Sequence, residues 1–273
     1  MTEIADGILQ NPLALFDVSG KVTVITGASG ALGRAAAIAL GALGARLLLA
    51  SGSEGKLEDV AAAARQAGQG GSEVATLARR PDTEADAEEI IAAAVTAYGV
   101  VDSVLVASGY NKPAPIEDMP YEDWQAIMDA NVRGPWLMAK ALGRHLAARD
   151  GRGKLVLVSS VRGRHGSPAG YSAYCTSKGA TDSLTKTLAT EWGPRGINVN
   201  AIAPAVFRSA LTNWIFSDTD AGRASRERNM ARISLKRLGE PEDFVGIVLY
   251  LLSAASDFVT GQVIYVDGGY TAA

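Results

Sequence analysis

Seven short apolar runs, at 21–26, 45–50, 73–78, 102–107, 153–159, 196–202 and 262–266, alternate with longer Ala-rich stretches of helical character. Runs such as Lys21-Val22-Thr23-Val24-Ile25-Thr26 or Ser103-Val104-Leu105-Val106 leave no polar face for water. Strands buried on both faces belong to parallel sheets covered by helices. The rhythm therefore predicts an α/β fold, a doubly wound sheet of about seven parallel strands with helices on both faces. No linker rich in Pro, Gly or Ser divides the 273 residues, and 48% hydrophobic composition can fill one substantial core, so a single domain is expected. It spans 16–273, preceded by an N-terminal extension over 1–15. Residues 205–240 break the rhythm, with Trp214, Phe216 and Met230 beside Arg223, Arg226, Arg228 and Arg232. This reads as a helical excursion after the sixth strand, a substrate lid at the carboxyl end of the sheet, with a subunit contact or surface hairpin as the competing reading.

Charge and composition narrow the function. The 26 basic and 29 acidic residues give a net charge of −3 without a dense basic block, so binding to nucleic acid or an anionic membrane has no electrostatic support. Cys175 alone cannot form an internal disulfide, and His145 with His165 offers no metal-ligand spacing, so no metal site is expected. The first twenty residues lack a basic leader pattern, and no apolar run approaches the ~20 residues needed to span a bilayer. A cytoplasmic protein acting on small molecules is the expectation.

The turn after the first run reads Thr26-Gly27-Ala28-Ser29-Gly30-Ala31-Leu32-Gly33 and opens an Ala-rich helix. Glycines there allow a tight turn and close backbone approach to a pyrophosphate, while the helix N-terminus presents unpaired N–H groups. A dinucleotide-binding Rossmann fold follows as the expectation. Downstream, Tyr174 and Lys178 stand at i and i+4 and share one helix face. An ammonium beside a phenol stabilises the phenolate. Bringing a tyrosine from ~10 to ~7 takes roughly 4 kcal/mol, to which a buried cation and an oxidised nicotinamide both contribute.

With these residues the chain resembles the short-chain dehydrogenase/reductase family, from about Phe16 to Tyr270. The likeness is carried by Thr26 to Gly33, by Asn131 in Asp129-Ala130-Asn131-Val132-Arg133-Gly134, and by Ser160 in Val158-Ser159-Ser160-Val161. It continues through Tyr174 with Lys178, Asn200-Ala201-Ile202-Ala203-Pro204, and Val266-Asp267-Gly268-Gly269. The resemblance implies Tyr174 as general acid/base, Lys178 lowering its pKa and holding the nicotinamide ribose, and Ser160 bonding the reacting oxygen. Asn131 would hold a water that relays protons. Ser159 is the rival of Ser160. Cofactor contacts are implied at Gly27, Ser29, Gly30, Leu32, Gly33, Ser51, Ser108, Gly109, Tyr174, Lys178, Pro204 and Val206.

The chain also departs from the family pattern. Gly27, Gly30 and Gly33 are spaced as in the longer sugar-nucleotide epimerase and dehydratase branch, with Ala31 where the shorter branch has glycine. Length and the closing Val-Asp-Gly-Gly favour the shorter, oxidoreductase branch. Arg80-Pro81 replaces Asp-Val after the third run, and Val106-Ala107-Ser108-Gly109 replaces Asn-Asn-Ala-Gly after the fourth, which implies looser or altered adenine binding. At the end of the second run, Leu49-Ala50-Ser51-Gly52-Ser53 holds no carboxylate until Glu54. An acid there would hold the 2′-hydroxyl of NAD and repel a 2′-phosphate. Ser51 and Ser53, with Lys56, Arg34 or Arg80 in reach, favour NADP over NAD.

Arg164, His165, Tyr171 and Trp214 are the candidate substrate residues. The stretch Gly109 to Met119 is similar to members acting on sugar acids such as gluconate. Helices at 121–149 and 170–193 resemble those through which family members assemble, implying a homotetramer. Cys175 reads as a packing residue. The expected activity is interconversion of a secondary alcohol, a sugar acid or polyol among the candidates, with its ketone. Two other readings stay open, a nicotinamide-using epimerase or dehydratase and a non-catalytic dinucleotide-binding protein.

Overall fold

A computed structural model describes residues 6–68, 72–149 and 151–272. The seven apolar runs form β1 (Val22–Thr26), β2 (Arg46–Ala50), β3 (Val74–Leu77), β4 (Ser103–Val106), β5 (Gly153–Val158), β6 (Ile197–Pro204) and β7 (Val263–Val266). They join in one parallel sheet of order β3-β2-β1-β4-β5-β6-β7. The chain leaves β1 toward β2 on one side and enters β4 on the other. That reversal opens a crevice at the carboxyl ends of β1 and β4, where ligands of such sheets bind.

The helices are α1 (Asp6–Gln10), α2 (Ala31–Ala42), α3 (Glu54–Ala67), α4 (Glu84–Tyr98), α5 (Tyr121–Met128), α6 (Gly134–Ala148), α7 (Ser172–Trp192), α8 (Asp220–Arg232) and α9 (Val245–Leu252). On one face of the sheet Ile90, Met138, Leu142, Leu146 and Leu188 cover Val24, Val104, Leu155 and Val199. On the other, Leu40, Leu57, Phe244, Val248 and Leu251 cover Ile25, Leu47, Leu49 and Leu105. Alanine enrichment has a steric cause. At Gly41 a methyl would stand 2.8 Å from the Ala64 carbonyl oxygen, so α2 and α3 approach so closely that only small residues fit between them.

The stretch expected as one helix at 121–149 is interrupted. Between α5 and α6 a π-helical turn over Asp129–Arg133 inserts one wide loop of backbone and turns Asn131 inward, fully buried. The N-terminal extension contributes α1 and a 3-10 turn at Pro12–Phe16, which sets the Phe16 ring 6.4 Å from that of Tyr250. Its first five residues lie outside the described part. The excursion at 205–240 contains a 3-10 turn at Asn213–Phe216 and then α8, and Phe207 bridges to Gly239 at its base. A third small core of Val161, Ile215, Ile233, Leu238 and Tyr270 ties it to the segment after β5 and to the chain end. Among the described residues no helix is long and apolar enough to cross a membrane.

Candidate active site

A cleft of about 1170 Å³ runs along the carboxyl ends of the strands, from the β1–α2 turn to the excursion. At its centre the β1–α2 turn is dictated by sterics. Gly27 has φ +69°, and a methyl on it would stand 2.5 Å from the Ser108 amide nitrogen of the neighbouring β4 end. Gly33 packs rather than lines: its Cβ would stand 2.5 Å from the Gly27 carbonyl oxygen. Gly30 precedes α2 as N-cap with no side-chain cap, so the first N–H groups of the helix remain for a ligand. Ala31 needs no glycine freedom, because it starts the helix.

The replaced Asn-Asn segment keeps its backbone tie, Ala107 N–H donating to the Thr26 carbonyl at 3.0 Å. The Ser108 hydroxyl is buried and without a partner. Together with the glycine cradle and the uncapped helix, that orphaned hydroxyl fits a dinucleotide. Gly27, Ser29, Gly30, Leu32, Ser51, Ser108, Gly109, Tyr174, Lys178, Pro204 and Val206 all line the cleft, and of the cofactor candidates only Gly33 does not.

At the adenosine end Ser51 is buried, and the Arg80 guanidinium lies over Gly52, where a methyl would stand 2.5 Å from its Nε. Lys56, Arg79 and Arg80 all line this end. Arg79 is neutralised by Glu89 at 3.0 Å and Asp86 at 3.4 Å. Among the described residues, Arg80 and Lys56 have no carboxylate partner. Arg34 lies elsewhere, on a groove with Ile38 and Arg208.

Ser160, Tyr174 and Lys178 meet at the other end. Ser159 and Ser160, adjacent after β5, point to opposite duties. The buried Ser159 hydroxyl bonds Asp182, while the Ser160 hydroxyl accepts from Arg162 N–H at 3.1 Å and lies beside the Tyr174 phenol, whose titration it lowers. Lys178 Nζ is 5.6 Å from the Tyr174 ring centroid and donates to the Val158 carbonyl at 2.8 Å. Burial pushes the Tyr174 phenol up to about 12, against the lowering bond from Ser160. Burial likewise pulls the Lys178 ammonium down to about 8, with the Asp182 carboxylate opposing. Desolvation sets the direction of the Tyr174 shift, while the ammonium spends its bond on the Val158 carbonyl.

Asn131 acts through the backbone. Its Oδ1 accepts from Tyr110 N–H at 2.8 Å, and Nδ2 donates to the Tyr110 carbonyl at 2.8 Å and to Ser177 Oγ at 3.0 Å. It therefore clamps the segment after β4 to α7, and both side-chain donors are spent. The π-helical turn that aims it carries no periodicity signal in the sequence.

Of the substrate candidates, Tyr171 and Trp214 line the cleft, whereas Arg164 and His165 do not. The cause is a 3-10 turn at Val161–Gly163, which points Arg162 inward. Arg164 instead stands 5.9 Å from the Tyr265 ring, and His165 stacks edge-on against Tyr270 at 6.4 Å. Sequence reasoning missed Arg162, Asn111 and Tyr270 in the lining. Alternation after Ser160 offered a faint signal for Arg162, since a residue two beyond it shares its side.

This fold and cleft define a dinucleotide-dependent α/β enzyme. A family profile described as Enoyl-(Acyl carrier protein) reductase matches residues 27–271. An uncharacterized oxidoreductase of Mycobacterium tuberculosis is 56% identical, over 95% of this chain and 94% of its own. Gluconate 5-dehydrogenase of Gluconobacter oxydans is 33% identical, over 94% of this chain and 97% of its own. Among solved structures, a gluconate 5-dehydrogenase from Burkholderia cenocepacia in complex with NADP and tartrate is similar with a TM-score of 0.87. Its identity is 30%, covering 96% of this chain and 100% of that one. The chain belongs to the short-chain dehydrogenase/reductase family and is an NAD(P)-dependent oxidoreductase acting on CH–OH groups.

Proposed function

We propose that the protein interconverts a secondary alcohol and its ketone with NADP, using Tyr174 as general acid/base. One observation carries this reading: Ser160, Tyr174 and Lys178 line the same cleft as the glycine turn, with the Lys178 ammonium 5.6 Å from the Tyr174 ring centroid. The bound dinucleotide supplies a nicotinamide carbon that accepts or gives hydride. Tyr174 takes the hydroxyl proton as the carbinol hydrogen leaves as hydride, and returns it in the reverse direction. Ser160, beside the phenol in the cleft, holds the reacting oxygen. Lys178 would hold the nicotinamide ribose, and its charge favours the phenolate. Asn131 keeps Gly109 and Lys178 in place. Both N–H groups of its side-chain amide are committed, so any relay water must be held by other lone pairs, such as those of its carbonyl.

The excursion acts as the lid, since Ser209, Leu211, Trp214 and Asn229 all face the cleft. NADP over NAD is supported by Arg80 and Lys56, cations without carboxylate partners among the described residues, and by Ser51-Gly52-Ser53 after β2, which carries no acid before Glu54. A homotetramer through α5, α6 and α7 is supported by exposed Tyr121 and Trp136 on those helices. The likeness to one relative and one solved structure named gluconate 5-dehydrogenase supports trying sugar acids first.

Oxidation of sugar acids, polyols and secondary alcohols with each cofactor, followed at the reduced-nicotinamide absorbance, tests the reading. Turnover with NADP preferred over NAD is expected. A hundredfold preference for NAD would reverse the cofactor assignment. Substrate conversion without absorbance change would instead indicate an epimerase or dehydratase.

A further inference from the structure

Arg162 is the cation that the substrate end of the cleft presents. It belongs to the 3-10 turn that starts directly after Ser160 and lines the cleft together with Tyr171, Tyr174 and Tyr270. Its Cζ lies 6.0 Å from the Tyr171 ring centroid and 5.6 Å from that of Tyr270, so two aromatic rings hold the guanidinium in position. Nη1 donates to the Gly166 carbonyl at 2.7 Å. A guanidinium carries five N–H donors. The others have no partner among the described residues, and no carboxylate stands within ion-pair distance. The charge is also near the chemistry, because it pulls against the burial that raises the Tyr174 and Tyr171 phenols and the Cys175 thiol.

Nearby charges do not neutralise it. Asp267, the acid of this region, is spent on the Gly269 and Thr271 amides and the Thr271 hydroxyl. Arg232 adds a second positive charge behind Tyr270, 4.4 Å from the ring centroid, with Nε donating to the Tyr270 carbonyl. In the same cleft the Asn111 amide oxygen is buried and unpartnered. A fork with free donors and an orphaned acceptor in one cleft match a carboxylate on a ligand and a hydroxyl elsewhere on it. A neutral alcohol would leave that fork without an ionic partner.

We propose that Arg162 binds the carboxylate of the substrate, which is therefore a hydroxy acid, and that Asn111 accepts from a further hydroxyl where the acid carries one. The proposal deepens the oxidoreductase reading and rests on it for the position of the reacting carbon.

The test compares lactate, β-hydroxybutyrate and D-gluconate, each with its own primary amide, in wild type, Arg162→Ala and Arg162→Lys. Calorimetric binding to the NADP-loaded protein is measured alongside turnover. At least one acid is expected to bind and react about 100-fold better than its amide. Arg162→Ala should erase that preference, lowering kcat/KM for the acid about 100-fold while the amide stays within about threefold. Arg162→Lys should retain part of it, as a point charge without the fork. An unchanged melting temperature and NADPH affinity would separate this from a loop that merely lost its Gly166 bond. The assignment is overturned if no acid is preferred over its amide by wild type, or if acid and amide lose equally in Arg162→Ala. Arg162-dependent acid binding without hydride transfer from any compound would sink the oxidoreductase reading and leave the anion site standing.

Discussion

Lys178 lies beside Tyr174 at 5.6 Å from the ring centroid, yet its ammonium donates to the Val158 carbonyl, not to the phenol. The pair is thus poised without being ionically coupled, and the phenol stays protonated at about 12. A bound nicotinamide ring in its positive form would add the missing charge. Alcohol oxidation needs the phenolate and carbonyl reduction the phenol, so the two directions must respond oppositely to pH.

For Tyr174→Phe, turnover is expected to fall by about three to four orders of magnitude, with NADPH affinity changed less than about threefold. Steady-state kinetics and cofactor titration check it. In wild type, kcat/KM for oxidation should rise about tenfold per pH unit below its apparent pKa, and reduction should not. A variant retaining near wild-type rate defeats the general acid/base assignment.

Lys178→Met separates activity from stability. Burial lowers the ammonium from 10.5 to about 8, so the unfolded chain holds this proton more tightly than the native one. The charged residue then destabilises the fold by roughly 3 kcal/mol below pH about 8, and this penalty disappears as pH rises toward about 10.5. Losing the bond to Val158 offsets part of the gain. Denaturant unfolding at neutral pH should find the variant no more than about 1 kcal/mol less stable than wild type, while activity drops at least about a hundredfold. Its relative stability should decline between pH about 8 and about 10, and a rise there would contradict the buried-ammonium account.

Arg80→Ala should raise KM for NADPH about tenfold and leave NADH nearly unaffected, because only the phosphorylated ribose uses that charge. Equal effects on both cofactors would mean that Arg80 serves the packing over Gly52 instead.

Gly27→Ala and Gly30→Ala should differ sharply. At Gly27 a methyl meets the Ser108 backbone at 2.5 Å with φ at +69°, whereas at Gly30 the nearest atom is the Gly27 carbonyl oxygen at 3.2 Å and φ is negative. Unfolding midpoints should place the first change at a loss of more than about 2 kcal/mol and the second near about 1 kcal/mol. Similar losses would show that backbone handedness does not decide the turn.

The sheet was legible because its signal is local. Buried parallel strands are continuous apolar runs, and β4 or β5 could be placed to within a residue or two from Val104-Leu105-Val106 or Leu155-Val156-Leu157 alone. The β1–α2 turn and the Tyr174–Lys178 spacing are local too, since a positive φ at Gly27 and one shared helix face depend on a few neighbours in the chain.

The side of the cleft that each polar residue faces was decided by contacts far apart in sequence. Arg162 turns inward and Arg164 outward because a 3-10 turn packs Val161 against Ile215, Ile233, Leu238 and Tyr270. The Asn131 amide is consumed by Tyr110 because a π-helical turn rotates it toward the end of β4. The phenol of Tyr174 is high because burial there outweighs the lowering by Ser160 and Arg162. Periodicity records which residues avoid water, while direction, desolvation and partner choice arise only when distant segments close around the same cavity.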